Sequence, residues 1–164
     1  MKRHYFWLLS LLAITAFAAC NKKDNTPPYD PVQQAATDER LITEFIAANN
    51  ITGVIKDDTT ALHYKILENA PAGDTIKLND RMNITYEGKL LNGNVFDDGD
   101  KTTLNDYRLQ ELIEGWQIGL RKISKGGKIQ LFVPSAMGYK NYPTGSIPAN
   151  SVLVFVITLH NFYY

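Results

Sequence analysis

Few side chains in this sequence have the type and spacing that covalent or metal chemistry requires. The chain contains no G-x-S-x-G nucleophile motif, no P-loop, no H-E-x-x-H zinc motif and no C-x-x-C pair. His63 and His160 lie in predicted strands without a second ligand at metal spacing, so we interpret both as sheet-face residues. Residues 97–100 resemble the start of a calcium loop, but Arg108 stands where a bidentate glutamate belongs. The sequence therefore predicts no covalent catalyst, no metal and no cofactor.

The remaining candidates are aromatic and branched side chains that an apolar pocket would use. The aromatic members are Tyr86, Phe96, Trp116, Tyr139 and Phe155. Core packing is the ordinary role of such residues. Their positions along the chain do not by themselves separate a pocket lining from a filled core.

Strands supply most of the framework that must position these side chains. Alternation of apolar and polar residues predicts strands over 62–66 and 82–86, and two further strands are predicted over 128–134 and 152–162. Asn92-Gly93 lies between two apolar pairs and predicts a hairpin, because both residues tolerate positive φ.

Two segments have helical spacing. A helix is predicted over 37–52, with Asn49-Asn50 ending its periodic part. A second stripe predicts one amphipathic helix, closed by Gly126-Gly127, from Leu109, Leu112, Ile113, Trp116 and Leu120. The predicted fold is α+β: a curved antiparallel β-sheet, or half-barrel, wrapped around one central amphipathic helix, with an N-terminal helix.

Length and composition favour one folded domain with appendages. The chain has 164 residues, 45% of them hydrophobic, which excludes a mostly disordered protein. Its 17 basic and 17 acidic side chains give no support to a nucleic-acid groove. Nucleic acid is therefore not an expected partner.

The first residues have the pattern of an export signal. Residues 1–19 combine a cationic start, an apolar stretch and a small-residue end, which predicts a signal peptide. Cys20, the only cysteine, follows Ala18-Ala19 and resembles the lipobox cysteine of bacterial lipoproteins, although Phe17 replaces the usual Leu. The alternatives are a secreted protein with a spare thiol and an uncleaved anchor. Residues 20–36 are expected to form a lipidated flexible tether.

Five short blocks, in order, resemble the FKBP-type peptidyl-prolyl cis-trans isomerases. The blocks are residues 84–88, 95–97, 112–116, 133–139 and 147–155. Each block alone is weak, but all five occur in the family's order with similar gaps, over Leu62 to Leu159. The resemblance implies an isomerase domain over residues 53–164.

The resemblance also implies roles for individual residues. A hydrophobic pocket floored by the indole of Trp116 would be expected, with Asp97 joining a pocket tyrosine network rather than standing as a solvated loop carboxylate. The catalytic residues implied are Tyr86, Phe96, Asp97, Ile113, Trp116, Tyr139 and Phe155. The substrate-binding residues implied are Leu112, Ile147 and Tyr107.

The expected function is isomerisation of X-Pro bonds in exported proteins, without covalent catalysis. Its expected partners are proline-containing polypeptides, macrolides such as rapamycin, and a bacterial cell-envelope membrane reached through lipid at Cys20. The alternative is a binding module or holdase chaperone that uses the same pocket without turnover. The N-terminal helix is short, which favours a monomer over a dimer formed through that helix.

Three positions depart from the family pattern. A pocket aromatic of the family aligns with either Asn105 or Tyr107, depending on where a loop shortening is placed. Lys140 replaces a common Gly, and Val156 replaces a common acid. Strand alternation predicts that Val156 faces away from the pocket, so these departures concern specificity more than activity.

Overall fold

The computed structural model describes residues 29–69, 73–98 and 104–164. The expected signal peptide over residues 1–19, Cys20 and the tether up to residue 28 lie outside these ranges, as do residues 99 and 100 of the run compared with a calcium loop. Within the described ranges, no helix is both long enough and apolar enough to cross a membrane.

The described part of the chain contains one antiparallel sheet, two α-helices and three short 3-10 helices. The strands are β1 (Ile55–Lys56), β2 (His63–Glu68), β3 (Arg81–Leu90), β4 (Val95–Asp98), β5 (Leu104–Arg108), β6 (Lys128–Val133) and β7 (Leu153–Tyr163). The helices are α1 (Pro31–Ala48) and α2 (Glu114–Gly119). The predicted strands are all present, and Gly93 adopts a φ of 88° in the predicted hairpin turn between β3 and β4.

The sheet is centred on its two longest strands. The strand order is β1-β2-β6-β7-β3-β4, and β5 pairs with the beginning of β3. β3 and β7 pair from Arg81 opposite Tyr163 to Leu90 opposite Leu153. The predicted α+β class, an antiparallel sheet with a central helix and an N-terminal helix, is confirmed.

The two faces of the sheet bury different partners, because neighbouring residues in a strand point to opposite sides. Leu131 and Phe155 belong to the main core on the inner face, where α2 packs. Phe132 and Val154, one position away in each strand, form a second cluster with Ile42 of α1. Helix α1 therefore covers the face of the sheet opposite α2.

The central segment is not the single amphipathic helix predicted over 109–120. It consists of a 3-10 turn at Leu109–Glu111, two extended residues, Leu112 and Ile113, and then α2. The side chain of Gln117 donates to the carbonyl of Leu112 at 2.7 Å, in place of the backbone N–H that a continuous helix would supply. The apolar residues of this segment still face the core, although they belong to separate short turns and not to one helix.

Helix α1 begins six residues before the predicted start at residue 37. Asp30 caps it by accepting from the backbone N–H groups of Val32 and Gln33, at 2.9 and 3.2 Å. Pro31 occupies the first turn, where a missing N–H costs no intrahelical hydrogen bond. Residues 31–36, assigned to the tether from their composition, are thus helical, and the helix ends at Ala48 rather than at residue 52.

Two glycines allow α2 to lie directly against β6. A Cβ at Gly115 would lie 2.6 Å from Val133 Cγ1, and a Cβ at Gly119 would lie 2.5 Å from Leu131 Cδ2. Both distances are far shorter than the usual contact between carbon atoms. Only residues without a side chain permit this separation between the helix and the strand.

An ion pair joins the end of the central segment to the first hairpin of the sheet. Lys122 Nζ lies 2.5 Å from Asp57 Oδ2, in the turn between β1 and β2. The hydroxyls of Thr59 and Thr60 also donate to this carboxylate. These contacts hold the pKa of Asp57 well below its usual range. Lys122 has the largest effect, and the hydroxyls add to it.

Candidate functional site

A cavity of about 230 Å³ opens above α2 on the inner face of the sheet. Its walls are mainly aromatic and aliphatic, with two carboxylates. The lining residues are Tyr86, Phe96, Asp97, Glu111, Leu112, Ile113, Trp116, Tyr139 and Phe155. A larger depression of about 550 Å³ lies between the end of α1 and the first hairpin, and it shares no residue with this cavity.

Strand pairing brings the aromatic walls together. Tyr86 of β3 lies opposite Ile157, and Gly88 lies opposite Phe155 of β7, so both strands direct an aromatic side chain to the inner face. Phe96 enters from β4 and meets Phe155 edge to face, with ring centroids 5.6 Å apart. The sequence grouped these side chains only through the family resemblance, and the strand pairing now shows Tyr86 and Phe155 on one face.

Trp116 forms the floor of the cavity. It is 4% exposed, and its ring meets Phe155 at 90° and Tyr86 at 77°, with centroid separations of 5.1 and 4.8 Å. Edge-to-face pairs of this kind are favourable and fix the orientation of each ring. The indole Nε1 is buried and has no hydrogen-bond partner within the described residues.

Gly88 is a structural requirement of the cavity that the sequence analysis did not identify. A Cβ at this position would lie 2.5 Å from Phe96 Cε2 and 3.0 Å from Phe155 Cε1. The two rings therefore occupy the space that any other residue would fill. A glycine in the middle of a long central strand was the available signal, because glycine there often marks a close approach.

Asp97 influences both tyrosines of the cavity. The hydroxyl of Tyr86 donates to Asp97 Oδ2, so the expected contact with the tyrosine network is present. Burial and the Asp97 carboxylate raise the pKa of Tyr86 well above its usual value. Burial and the same carboxylate raise the pKa of Tyr139. Both phenols are consequently proton donors, not bases, at neutral pH.

The extended residues before α2 form one edge of the cavity. Leu112 and Ile113 both line it, as expected, and both are partly buried against the main core. Glu111 also lines the cavity, but the sequence analysis missed it. On a continuous helix Glu111 would lie on the polar face. The actual 3-10 turn brings it to the cavity and lets its carboxylate accept from the N–H of Arg108 at 3.2 Å.

Two of the expected substrate-binding residues do not line the cavity. Ile147 is 6% exposed and packs in the main core beside the lining residues. Tyr107 pairs with Met82, four residues along β3 from Tyr86, and is 47% exposed. Directly opposed residues share a face, so Tyr107 lies on the inner side and Asn105, opposite Asn83, on the outer side.

His63 and His160 lie apart from the cavity, on different strands. His63 is 5% exposed, with its Nε2 3.5 Å from a carboxylate oxygen of Glu39 on α1. His160 lies within hydrogen-bond distance of the Thr85 hydroxyl, at 3.0 Å. Across the described ranges, no group of three or more His, Cys, Asp or Glu side chains is placed to hold a metal ion.

Comparison with known proteins identifies relatives that share this domain. The sequence profile described as FKBP-type peptidyl-prolyl cis-trans isomerase matches residues 73–160, more than half of the chain. A probable FKBP-type peptidyl-prolyl cis-trans isomerase of Haemophilus influenzae is 43% identical over 103 residues, covering 62% of this chain and 42% of that protein. The isomerase FkpA of Escherichia coli is 37% identical over 106 residues, covering 64% of this chain and 39% of that protein.

Solved structures show the same fold. The crystal structure of FkpA from Escherichia coli superimposes with a TM-score of 0.68 at 32% identity, over 80% of this chain and 62% of that one. A peptidyl-prolyl cis-trans isomerase from Pseudomonas syringae gives a TM-score of 0.66 at 27% identity, over 84% of this chain and 100% of that one. The match covers less than half the length of the two curated relatives described above.

Proposed function

Because this chain belongs to the family of FKBP-type peptidyl-prolyl cis-trans isomerases, we propose that it isomerises X-Pro bonds in exported proteins. The observation that carries the proposal is the cavity itself: an aromatic box closed below by Trp116, with a tyrosine hydroxyl held by Asp97 at its side. The cavity is of a size to take one proline ring and its flanking amides. Proline-containing polypeptides are the proposed substrates.

Catalysis in such a cavity requires no bond to be made. Rotation about the peptide bond is opposed by a barrier of about 18–20 kcal/mol, because it breaks amide resonance. A twisted amide has lost part of its charge separation, so it is less strongly hydrated than the planar amide. An apolar cavity that excludes water therefore stabilises the twisted form relative to the planar one.

The lining residues divide this work between apolar contact and hydrogen bonding. Trp116 lies beneath the proline ring, and Phe96, Tyr86 and Phe155 surround it. The backbone N–H of Ile113 and the hydroxyl of Tyr139 hold substrate carbonyls, while Leu112 forms the edge. Asp97 orients the Tyr86 hydroxyl. Each tenfold gain in rate requires about 1.4 kcal/mol, so several contacts of this size are sufficient.

Ile147 and Tyr107 have supporting roles in this proposal. Ile147 belongs to the same connection between β6 and β7 as Tyr139, and its burial in the main core anchors that connection. Tyr107 lies on the inner side of β5, where it is exposed to the longer segments of a polypeptide substrate. Lys140 follows Tyr139 in the chain and is exposed, and in this proposal it contributes to substrate preference.

Packing of the N-terminal helix supports a monomer. On the side of α1 that faces the sheet, Ile42 is fully buried and the ring centroids of Phe45 and Phe132 are 6.2 Å apart, whereas Val32 in the first turn is 78% exposed. A helix that buries its apolar stripe in this way has little left for a second copy. The helix then links the domain to the tether that begins before Asp30.

The activity test compares shape with charge in the cavity. In a soluble form beginning at Asn21, wild type should accelerate isomerisation of a proline peptide in a protease-coupled assay. Phe155→Ala and Tyr86→Ala, which admit water, should each lower kcat/KM by about tenfold or more, and Asp97→Asn, which keeps its size, by only about threefold.

Folding must be controlled in this comparison, because truncating a buried aromatic residue costs about 3–5 kcal/mol of stability. Rates are therefore compared at equal folded fractions, determined by urea denaturation. A larger loss for Asp97→Asn than for Phe155→Ala would contradict the desolvation mechanism. Peptide binding without turnover by wild type would instead identify a binding module or holdase.

Macrolides such as rapamycin are proposed as ligands of the same cavity. Trp116 is the only tryptophan in the form beginning at Asn21, since the other, Trp7, precedes it. Rapamycin should therefore change the tryptophan emission and raise the melting temperature, because a ligand that binds only the folded state stabilises it. Saturating rapamycin with neither change would show that the cavity does not accept macrolides.

We also propose that the mature protein is a lipoprotein, anchored through Cys20 to a bacterial cell-envelope membrane, on its periplasmic side or at the cell surface. The support is the export pattern of residues 1–19, which ends at the single cysteine. Replacing Cys20 with Ser should move the protein from the membrane fraction to the soluble fraction of cells. Unchanged membrane association would refute lipid anchoring, and a soluble wild-type protein would identify a secreted form.

A further inference from the structure

The loop that carries Tyr139 to the cavity is held by α1 from the opposite side of the sheet. Asp38 of α1 is 1% exposed, and Ser135, the second residue after β6, is fully buried. Asp38 Oδ2 accepts from the backbone N–H of Ser135 at 2.8 Å and from its hydroxyl at 2.6 Å. Gln34 donates to the other carboxylate oxygen at 2.7 Å. One buried carboxylate thus joins the N-terminal helix to the start of the loop.

Ser135 in turn fixes the backbone on both sides of Tyr139. Its carbonyl accepts from the N–H of Gly138 at 3.0 Å and from the N–H of Lys140 at 2.8 Å. Lys140 has a φ of 59°, and its carbonyl accepts from the N–H of Asn150 at 2.8 Å. A shift of Ser135 must therefore move the short turn that presents Tyr139.

A buried carboxylate is an expensive way to attach a helix to a sheet. Desolvating the charge is costly, and apolar contacts such as those of Ile42 attach α1 without that cost. The three groups that donate to Asp38 from Gln34 and Ser135 are all neutral, and no basic side chain of the described ranges forms an ion pair with it. The carboxylate instead fixes the position of Ser135, because both the backbone N–H and the hydroxyl of Ser135 donate to it.

We propose that Asp38 is a positioning residue for the isomerase cavity, which sets the location of the Tyr139 hydroxyl through Ser135. The inference rests on the proposed function, in which that hydroxyl holds a substrate carbonyl. It gives α1 a part in the active domain, beyond linking that domain to its tether. The helix acts from the face of the sheet opposite the cavity.

The first test replaces Asp38 in the full chain, held in detergent micelles. Asp38→Ala removes both hydrogen bonds to Ser135 and should lower kcat/KM by about three- to tenfold. Asp38→Asn should recover most of the activity, because its amide oxygen can still accept from Ser135. Ser135→Ala keeps the backbone bond and should lose less than Asp38→Ala. An Asp38→Ala enzyme with the wild-type kcat/KM would overturn the proposal.

A double-mutant cycle with Tyr139→Phe tests the route. If Asp38 acts through the Tyr139 hydroxyl, Asp38→Ala should cost little further activity once that hydroxyl is gone. If the double variant loses kcat/KM by the product of the two single losses, Asp38 acts independently of the Tyr139 hydroxyl, and the assignment is refuted.

Ile42 supplies the matched control on the same helix. Ile42→Val loosens the packing of α1 slightly and Ile42→Ala loosens it more, and both leave the hydrogen bonds between Asp38 and Ser135 in place. At equal folded fraction they should keep wild-type kcat/KM. A loss equal to that of Asp38→Ala, at matched stability, would mean that any loosening of α1 produces the effect.

Amide hydrogen exchange separates this inference from the proposed function, because it does not depend on turnover. The amides of Gly138 and Lys140 should exchange faster in Asp38→Ala and remain as in wild type in Ile42→Val. If wild type has no isomerase activity, the proposed function fails while this measurement still decides whether Asp38 orders the turn. Unchanged exchange in a folded Asp38→Ala protein would overturn the inference.

Discussion

The close approach of α2 to β6 is the constraint on which the rest of the domain depends. Gly115 and Gly119 present bare backbone to Val133 and Leu131, with no room for a methyl group at either position. Val133 is β-branched and has little freedom to turn away, so the constraint is strictest at Gly115. The helix spacing follows from this contact, and with it the depth at which Trp116 lies.

The cavity also depends on positions that lack a side chain. Because Trp116 lies deep, Phe155 and Tyr86 can meet it edge to face and leave a volume above its ring. Gly88 then leaves the space in which Phe96 closes the side wall. The walls are rigid because each ring is held by another ring, and a rigid apolar wall can exclude water from a bound amide.

The family resemblance made much of this site predictable from the sequence. Alternation predicted the strand that carries Tyr86, but the five blocks in order were needed to group Tyr86 with Phe96, Trp116 and Phe155 in one pocket. Glu111 and the break before α2 were not predictable from spacing, because a 3-10 turn and an α-helix place apolar residues three or four apart in the same way. The buried Asp38 was equally hidden, because an acid next to the predicted helix start at residue 37 indicates only a favourable helix dipole, whereas the helix begins at Pro31 and Asp38 lies in its interior.

The early start of α1 shows a similar limit. Composition assigned the proline-containing stretch to a tether, but Asp30 followed by Pro31 is also a favourable way to begin a helix. The cap at Asp30 and the tertiary packing of Ile42 together favour the helix over a tether for residues 31–36. Residues 31–36 therefore belong to a helix that packs on the sheet of the same domain, not to an extended segment.

The central claim is that the cavity isomerises proline by shape and desolvation, without proton transfer. The direct test is the pH dependence of kcat/KM, measured without a coupling protease from about pH 6 to about pH 9. Burial and Asp97 keep the pKa values of Tyr86 and Tyr139 above their usual value, so both hydroxyls stay protonated throughout. The account predicts a flat profile. A rate that follows the titration of a single ionisable group across this range would contradict it and would indicate acid or base catalysis.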